Sequence, residues 1–340
     1  MTLIEIFFGS LSSRQFLVTI QSELIQIINQ ANTVKASDVH FVMRDNKILM
    51  QFRVDSLMLP QRELTLEEYQ QLLAYIKFHA ALTLTHPRQP HSGILTLEHQ
   101  GKTQYLRVSI LPTYYFHSLV LRIINSHNQK SLEDIPFFKQ NVAVLQDMAA
   151  SRAGLLLISG PTGSGKTTTA YSLIQYLRHE LDRSIITIED PIEYQQEDIV
   201  QMQVNEDMGM TYDIGIKEIL RHDPDVIVIG EIRDSKAAQQ ALRAALTGHL
   251  VISTIHAKNI VGTLYRLLDL GISHSDLEQT VIGLVNQRLI RDQNDFKALF
   301  EVCFGQELDL LLEQIEHGSL AKLPFKTLDE EFLKWQTIAG

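Results

Sequence analysis

Hydrophobic periodicity changes partway along the chain and divides it in two. Over residues 16–31, Val18, Ile20, Leu24, Ile27 and Ile28 recur at helical spacing and predict an amphipathic helix. Residues 36–42 alternate polar and apolar positions, as a half-buried strand does, and 48–54 and 56–59 continue a strand meander. Helical spacing returns over 64–82, with Thr65 as N-cap and Glu68 at the capping-box position. Three more strands are expected at 93–98, 104–111 and 118–124, interrupted at Gly101 and Pro112. Residues 1–125 therefore read as a small α+β domain, and the polar stretch 126–136, closed by Pro136, as a linker.

From residue 137 onward, short apolar runs alternate with helical patterns, the signature of a parallel sheet with covering helices. The runs at 155–159, 184–189, 226–230 and 250–256 are apolar almost throughout, as strands buried on both faces should be. Helices are predicted at 168–177, 234–247, 262–270 and 276–290. The second has Asp234 or Ser235 as N-cap and Gly248 as its stop. This α/β core spans 137–291; the remainder, 292–340, reads as mostly helical, broken at Pro324, and carries no chemistry. Open parallel sheets bind ligands beyond the carboxyl ends of their strands. All four runs end there in polar residues capable of chemistry.

Composition narrows the classes. A chain of 340 residues is long enough for two ordinary domains, and its formal net charge of −10 gives no electrostatic grip on nucleic acid. The single cysteine, Cys303, allows neither an internal disulfide nor a thiolate-rich zinc cluster, so no zinc site is expected. No apolar run is long enough to span a bilayer. Residues 3–8 are apolar but short, interrupted by Glu5 and without a basic flank, a poor signal peptide and better read as an element packed on the first domain.

The chemistry gathers at the strand ends. Gly160-Pro161-Thr162-Gly163-Ser164-Gly165-Lys166-Thr167 fits G-x-x-x-x-G-K-[ST], with an apolar strand before it and a helix, from Thr168 onward, after it. Glycines let backbone N–H groups converge on phosphate oxygens, and the helix start adds free amides and the positive end of its dipole. Lys166 would reach the β- and γ-phosphates of ATP, and the Thr167 hydroxyl would ligate Mg²⁺. A glycine-rich turn without a ligand is the alternative, and both flanks argue against it. Glu189, Asp190 and Glu193 follow the second run, where a carboxylate could orient an attacking water or simply line a solvated loop. Glu231 ends the third run, placed to bind Mg²⁺ through water or to hold the attacking water. His249 and His256 flank the fourth; either alone could be structural, and His256 is on the ligand side.

Taken in order, GPTGSGKTTT, IITIEDPIEY, QVN with ILRHDPDVIVIGEIRD, and TGHLVISTIHAKN resemble the Walker A, Asp-box, Walker B and His-box motifs of the secretion ATPase superfamily, whose members power type II secretion, type IV pilus assembly and DNA-uptake pseudopili. ASDVHF, QFRVD, YLRVSILPT and SLVLRII resemble that family's N-terminal domain, so the resemblance covers roughly residues 33–291. It implies a RecA-like P-loop domain after a smaller, PAS-like α+β domain. It also implies a cytoplasmic homohexamer, held at the membrane through a polytopic platform protein, with the nucleotide between its two domains. By resemblance, Glu189 is the Asp-box catalytic acid, Glu231 the Walker B acid and His256 the His-box residue. Arg107 and Arg122 are by resemblance arginines that bring charge to the phosphates, the alternative for each being a strand-surface ion pair. QVN resembles the branch that assembles competence pseudopili more than the branch that retracts pili. Departures are the absent four-cysteine element after Gln287-Arg288-Leu289, Ser56 where the family has glycine, and Phe116-His117 where an acid is common. A nucleotide-dependent regulatory protein with little turnover and a nucleic-acid translocase are the readings from other classes. Intact Glu189 and Glu231 oppose the first, and the acidic balance opposes the second.

Overall fold

The computed structural model describes residues 12–339 except 56, 81, 83–88, 100, 115, 125–129, 194–195, 197, 206–208, 293–294 and 321. The apolar stretch 3–8 and the start of the expected linker lie outside the described residues. The chain divides into two compact units, Met1–His127 and Asn128–Gly340.

The first unit begins with α1 (Ser12–Thr33), followed by β1 (Asp38–Arg44), β2 (Lys47–Val54), β3 (Leu57–Leu64), α2 (Leu66–His79), β4 (His91–His99), β5 (Lys102–Pro112) and β6 (His117–Ile124). The strands form one antiparallel sheet in the order β3-β2-β1-β6-β5-β4. The β1–β2 hairpin turns on Asp45 (φ 50°) and Asn46 (φ 61°), residues that tolerate the left-handed conformation a two-residue turn requires. Period-two burial follows from a sheet covered on one side. Val39, Phe41, Met50, Phe52, Leu106, Val108, Leu119 and Leu121 pack with Leu24 and Ile28 of α1 and Tyr69, Leu72 and Ile76 of α2. Thr65 and Glu68 form the reciprocal capping box that starts α2.

The second unit contains α3 (Gln140–Ala149), β7 (Gly154–Ser159), α4 (Lys166–His179), β8 (Ile185–Glu189), β9 (Val200–Gln203), α5 (Tyr212–Ile219), β10 (Val226–Glu231), α6 (Ser235–Leu246), β11 (Leu250–Ile255), α7 (Ile260–Asp269), α8 (His274–Thr280), β12 (Val281–Asp292), β13 (Asp295–Phe304), α9 (Gln306–Glu316) and α10 (Leu328–Ala339). Its seven strands run in the order β13-β12-β7-β11-β10-β8-β9, parallel except for β13. Leu156, Ile158, Val228 and Ile252 pack toward α3 and α4; Leu157, Ile188, Ile229 and Val251 pack toward helices including α5, α6 and α7. Burial on both faces is why these runs carry no alternation. Asp234 caps α6 by accepting from the Ala237 amide at 2.9 Å, and Gly248 (φ 93°) follows its C-cap.

Two expectations change. The helix expected over 276–290 stops at Thr280, and β12 takes the rest. Val281, Ile282, Leu284, Val285 and Leu289 mimic helical spacing because β12 packs into both cores, Val281 and Leu284 on one face and Ile282, Val285 and Leu289 on the other. The tail expected to be mostly helical contributes β13, which pairs antiparallel with β12. Leu132 and Ile135 are buried in the second unit's core, and the Phe137 amide donates to the Ala298 carbonyl of β13.

Candidate active site

Ser159 ends β7 at the glycine loop, and α4 begins at Lys166 on the loop's far side. Two glycines are demanded by close approach. Gly160 has φ 149°, and a Cβ there would lie 2.6 Å from the Gln287 carbonyl oxygen. Gly165 sits at φ 86° with a Cβ position 3.1 Å from Gln287 Nε2. β12 is therefore the wall behind the loop. Gln287, fully buried, donates its Nε2 to the Ser164 carbonyl at 2.5 Å. Asn286, also fully buried, donates to Ser159 Oγ at 2.8 Å and to the Ala257 carbonyl at 3.4 Å. The strand that sequence reasoning took for a helix thus ties the loop to the segment just after His256. Pro161, Thr162 and Gly163 are exposed at the loop tip, Ser164 is buried, and Thr167 and Thr168 are half-buried in the first turn of α4.

Lys166 Nζ donates to the Gly160 and Pro161 carbonyls at 3.0 and 3.2 Å and lies 3.5 Å from His256 Nδ1. Burial lowers its pKa, against the carboxylates of Glu231 and Glu193, which raise it. A desolvated ammonium at the loop, satisfied only by neutral carbonyls, is a ready anion partner. His256 Nε2 is 3.0 Å from Glu231 Oε1; Arg233 Nε donates to Glu231 Oε2 at 2.9 Å, and Arg233 Nη1 to Asp190 Oδ2 at 3.4 Å. Lys166, His256, Glu231, Arg233 and Asp190 form one continuous chain of polar contacts. It joins the segments that follow β7, β8, β10 and β11. His249, at the other end of β11, bonds Thr247 instead.

Glu231 reaches this chain through a bulge. Its pairing with β11 shifts register between Ile229 and Glu231, and Thr254 Oγ1 fixes the Gly230 carbonyl at 2.7 Å. A Cβ on Gly230 would lie 3.4 Å from Glu189 Cα, so the ends of β8 and β10 are in van der Waals contact at this position. Glu189 turns elsewhere. Its buried carboxylate accepts from Tyr171 Oη of α4 (2.6 Å), Thr187 Oγ1 (2.7 Å) and Gln201 Nε2 (3.3 Å). Burial raises its pKa, and those hydrogen bonds oppose the rise.

Arg122 and Arg107 belong to the first unit. Arg122 Nε donates to Asp38 Oδ1 at 2.8 Å across β6 and β1, the ion-pair alternative in that residue's case. Arg107 is half-buried directly opposite Arg122 in the β5–β6 ladder. Arg53 lies 3.9 Å from the same aspartate, so one buried carboxylate holds two guanidiniums on the sheet face away from the helices.

Sequence reasoning missed Asn286, Gln287 and the bridging role of Arg233. The available signal was two adjacent amides within an apolar run, a costly arrangement unless they are answered by hydrogen bonds. It missed Glu301 as well. This buried carboxylate of β13 accepts from the Ile260 amide (2.8 Å) and the Leu328 amide (3.0 Å), the first residues of α7 and α10.

Residues 15–309 match the family described as Type II/IV secretion system protein. The chain belongs to that family. It is 39% identical to competence protein ComGA of Bacillus subtilis (strain 168), over 89% of this chain and 90% of that protein. It is 40% identical to ComGA of Halalkalibacterium halodurans, over 81% and 79% respectively. Type II secretion system protein E of Pectobacterium carotovorum is 40% identical over 79% of this chain but only 55% of its own length. Among solved structures, the pilus retraction motor PilT with bound ADP superposes with a TM-score of 0.74 at 27% identity, covering 92% of each chain. The Legionella pneumophila ATPase DotB gives 0.70 at 21% identity, over 93% of this chain and 92% of that one, a likeness of fold.

Proposed function

We propose that this protein is a Mg²⁺-dependent ATPase motor that powers assembly of a competence pseudopilus or related pilus-like fibre. The observation that carries the proposal is the contact chain Lys166–His256–Glu231, in which one imidazole lies 3.5 Å from the phosphate-type lysine on one side and 3.0 Å from the strand-end acid on the other. Loop amides from Gly160 to Thr168 and Lys166 take the phosphates, and phosphate oxygens replace the two loop carbonyls that Lys166 now bonds. The donor types fit the metal: a half-buried hydroxyl at Thr167 and the Glu231 carboxylate, whose oxygens His256 and Arg233 now engage. Bound Mg²⁺ supplies charge neutralisation at the β- and γ-phosphate oxygens.

Of the two acids, Glu231 is better placed to hold the attacking water, because its carboxylate already faces the imidazole next to Lys166. Glu189 keeps its candidacy as a catalytic acid through the resemblance, while its three donors give it the immediate task of fastening β8 to α4. Arg107 and Arg122 retain the role the resemblance gives them, charge for the transferring phosphoryl group. The relatives' names support a role in competence, and the family supports a homohexamer acting on a polytopic platform protein at the cytoplasmic face of the membrane. Among the described residues no helix is long and apolar enough to cross a membrane. The likeness to PilT supports retraction as the second reading, set against two assembly-type relatives at 39 and 40% identity. Lys166→Ala should abolish steady-state phosphate release by the purified chain while leaving it folded; turnover equal to wild type would refute the proposal.

A further inference from the structure

Away from the glycine loop, α8 and α9 bring together three side chains that the ATPase reading does not use. His274 and Glu278 stand four residues apart on α8, and Glu316 is the last residue of α9. One ligand atom from each lies within 4.8 Å of the others. We propose that His274, Glu278 and Glu316 bind one divalent transition-metal ion of the zinc class, joining the C-terminal end of α9 to α8.

The imidazole points to a ligand. Both ring nitrogens of His274 are shielded from solvent, and neither has a hydrogen-bond partner. Glu278 is the nearest acid, but its oxygen is 3.9 Å from Nδ1, too long for a hydrogen bond. A desolvated ring nitrogen left unanswered is unfavourable, and two carboxylates gathered beside it repel each other unless a cation lies between them. A metal ion resolves both. The nearby Asp276 is not available as a ligand, because its carboxylate is already committed to the Ser273 hydroxyl at 2.6 Å in the capping box that starts α8.

One imidazole and two carboxylates are the donors that zinc, nickel and cobalt accept, with water filling the remaining positions. Magnesium and calcium prefer oxygen alone, so the imidazole sets the preference. The two glutamates are exposed, which leaves room for water on the ion's remaining positions. This site differs in place and chemistry from any thiolate cluster, and a reading that counted only cysteines could not find it. α8 runs directly into β12, so a bound ion would also brace the strand that backs the glycine loop.

The test uses the full chain, stripped with a chelator and titrated with ZnCl₂ by calorimetry in the presence of millimolar MgCl₂. One saturable site per chain is expected, lost in His274→Ala and weakened at least tenfold in Glu316→Gln. Because Glu316 is exposed at a helix end, its substitution leaves the fold intact, which circular dichroism and phosphate release would check. Absence of saturable binding to the wild-type chain would overturn the proposal. So would undiminished binding to both variants, which would mark an adventitious ion on other histidines.

Discussion

Gln287 offers the sharpest test of how the sheet supports the glycine loop. Gln287→Met keeps the length of the side chain and removes the amide that donates to the Ser164 carbonyl. A buried carbonyl left without its donor costs about 1–3 kcal/mol. Gln287 Oε1 is itself buried and unpartnered, so its removal returns part of that cost. The net expectation is about 1–2 kcal/mol. Expressed as loss of loop order, this weakens nucleotide binding about 5- to 30-fold, since about 1.4 kcal/mol is a factor of ten. Expressed as global stability, about 1 kcal/mol lowers Tm by roughly 2–4 °C for a unit of this size. A fluorescent-nucleotide titration run beside a thermal melt separates the two. Gln287→Glu should be worse than Gln287→Met at neutral pH, because it sets a carboxylate oxygen against a carbonyl oxygen. A Gln287→Met protein that binds nucleotide as tightly as wild type would sink the claim that β12 holds the loop.

Two further outcomes follow. Glu301→Gln keeps an acceptor for only one of the two helix-start amides that Glu301 now serves, and removes the charge from both bonds; a denaturant melt should show a loss of about 1–3 kcal/mol. Asp38 gives the first unit an acid-sensitive limb. Burial raises its pKa, but hydrogen bonds from Arg122 and Ser37 and the Arg122 charge outweigh that, so its folded pKa lies below the ordinary value of 3.8. A depressed folded pKa means that the folded state binds fewer protons than the unfolded chain. Its stabilisation is therefore complete well above pH 3.8 and disappears as pH falls through the lowered value. Asp38→Asn should flatten that part of a stability-against-pH curve, and an unchanged acid limb would contradict the assignment.

What the sequence made legible is set by which physical signals are local. The loop from Gly160 to Thr167 is contiguous, and its chemistry is written in one run of residues. The four buried strands and the Thr65–Glu68 capping box are equally local, and each is found where periodicity placed it. β12 and β13 were not legible: β12 follows α8 with no turn residue between them and its apolar positions continue the helical spacing, while β13 is fixed by pairing with β12. Asn286, Gln287 and Glu301 share that origin: each is a buried polar residue whose meaning depends on the loop or helix start beside it. Arg233 could be read as a helix-capping neighbour until Glu231 and Asp190 were found on either side of it. Arg122 shows the opposite limit, since both its readings were on the page and only the position of Asp38 showed the ion pair.

Glu301 has a mechanical consequence. With one oxygen on the first amide of α7 and the other on the first amide of α10, it places the final helix in series with the short segment that carries His256. Alongside the packing of Leu328 with Ile290 and Leu299, Glu301 links the start of α10 to a point four positions beyond that histidine. A substitution at Glu301 would therefore loosen two helix starts at once, one of them close behind the imidazole.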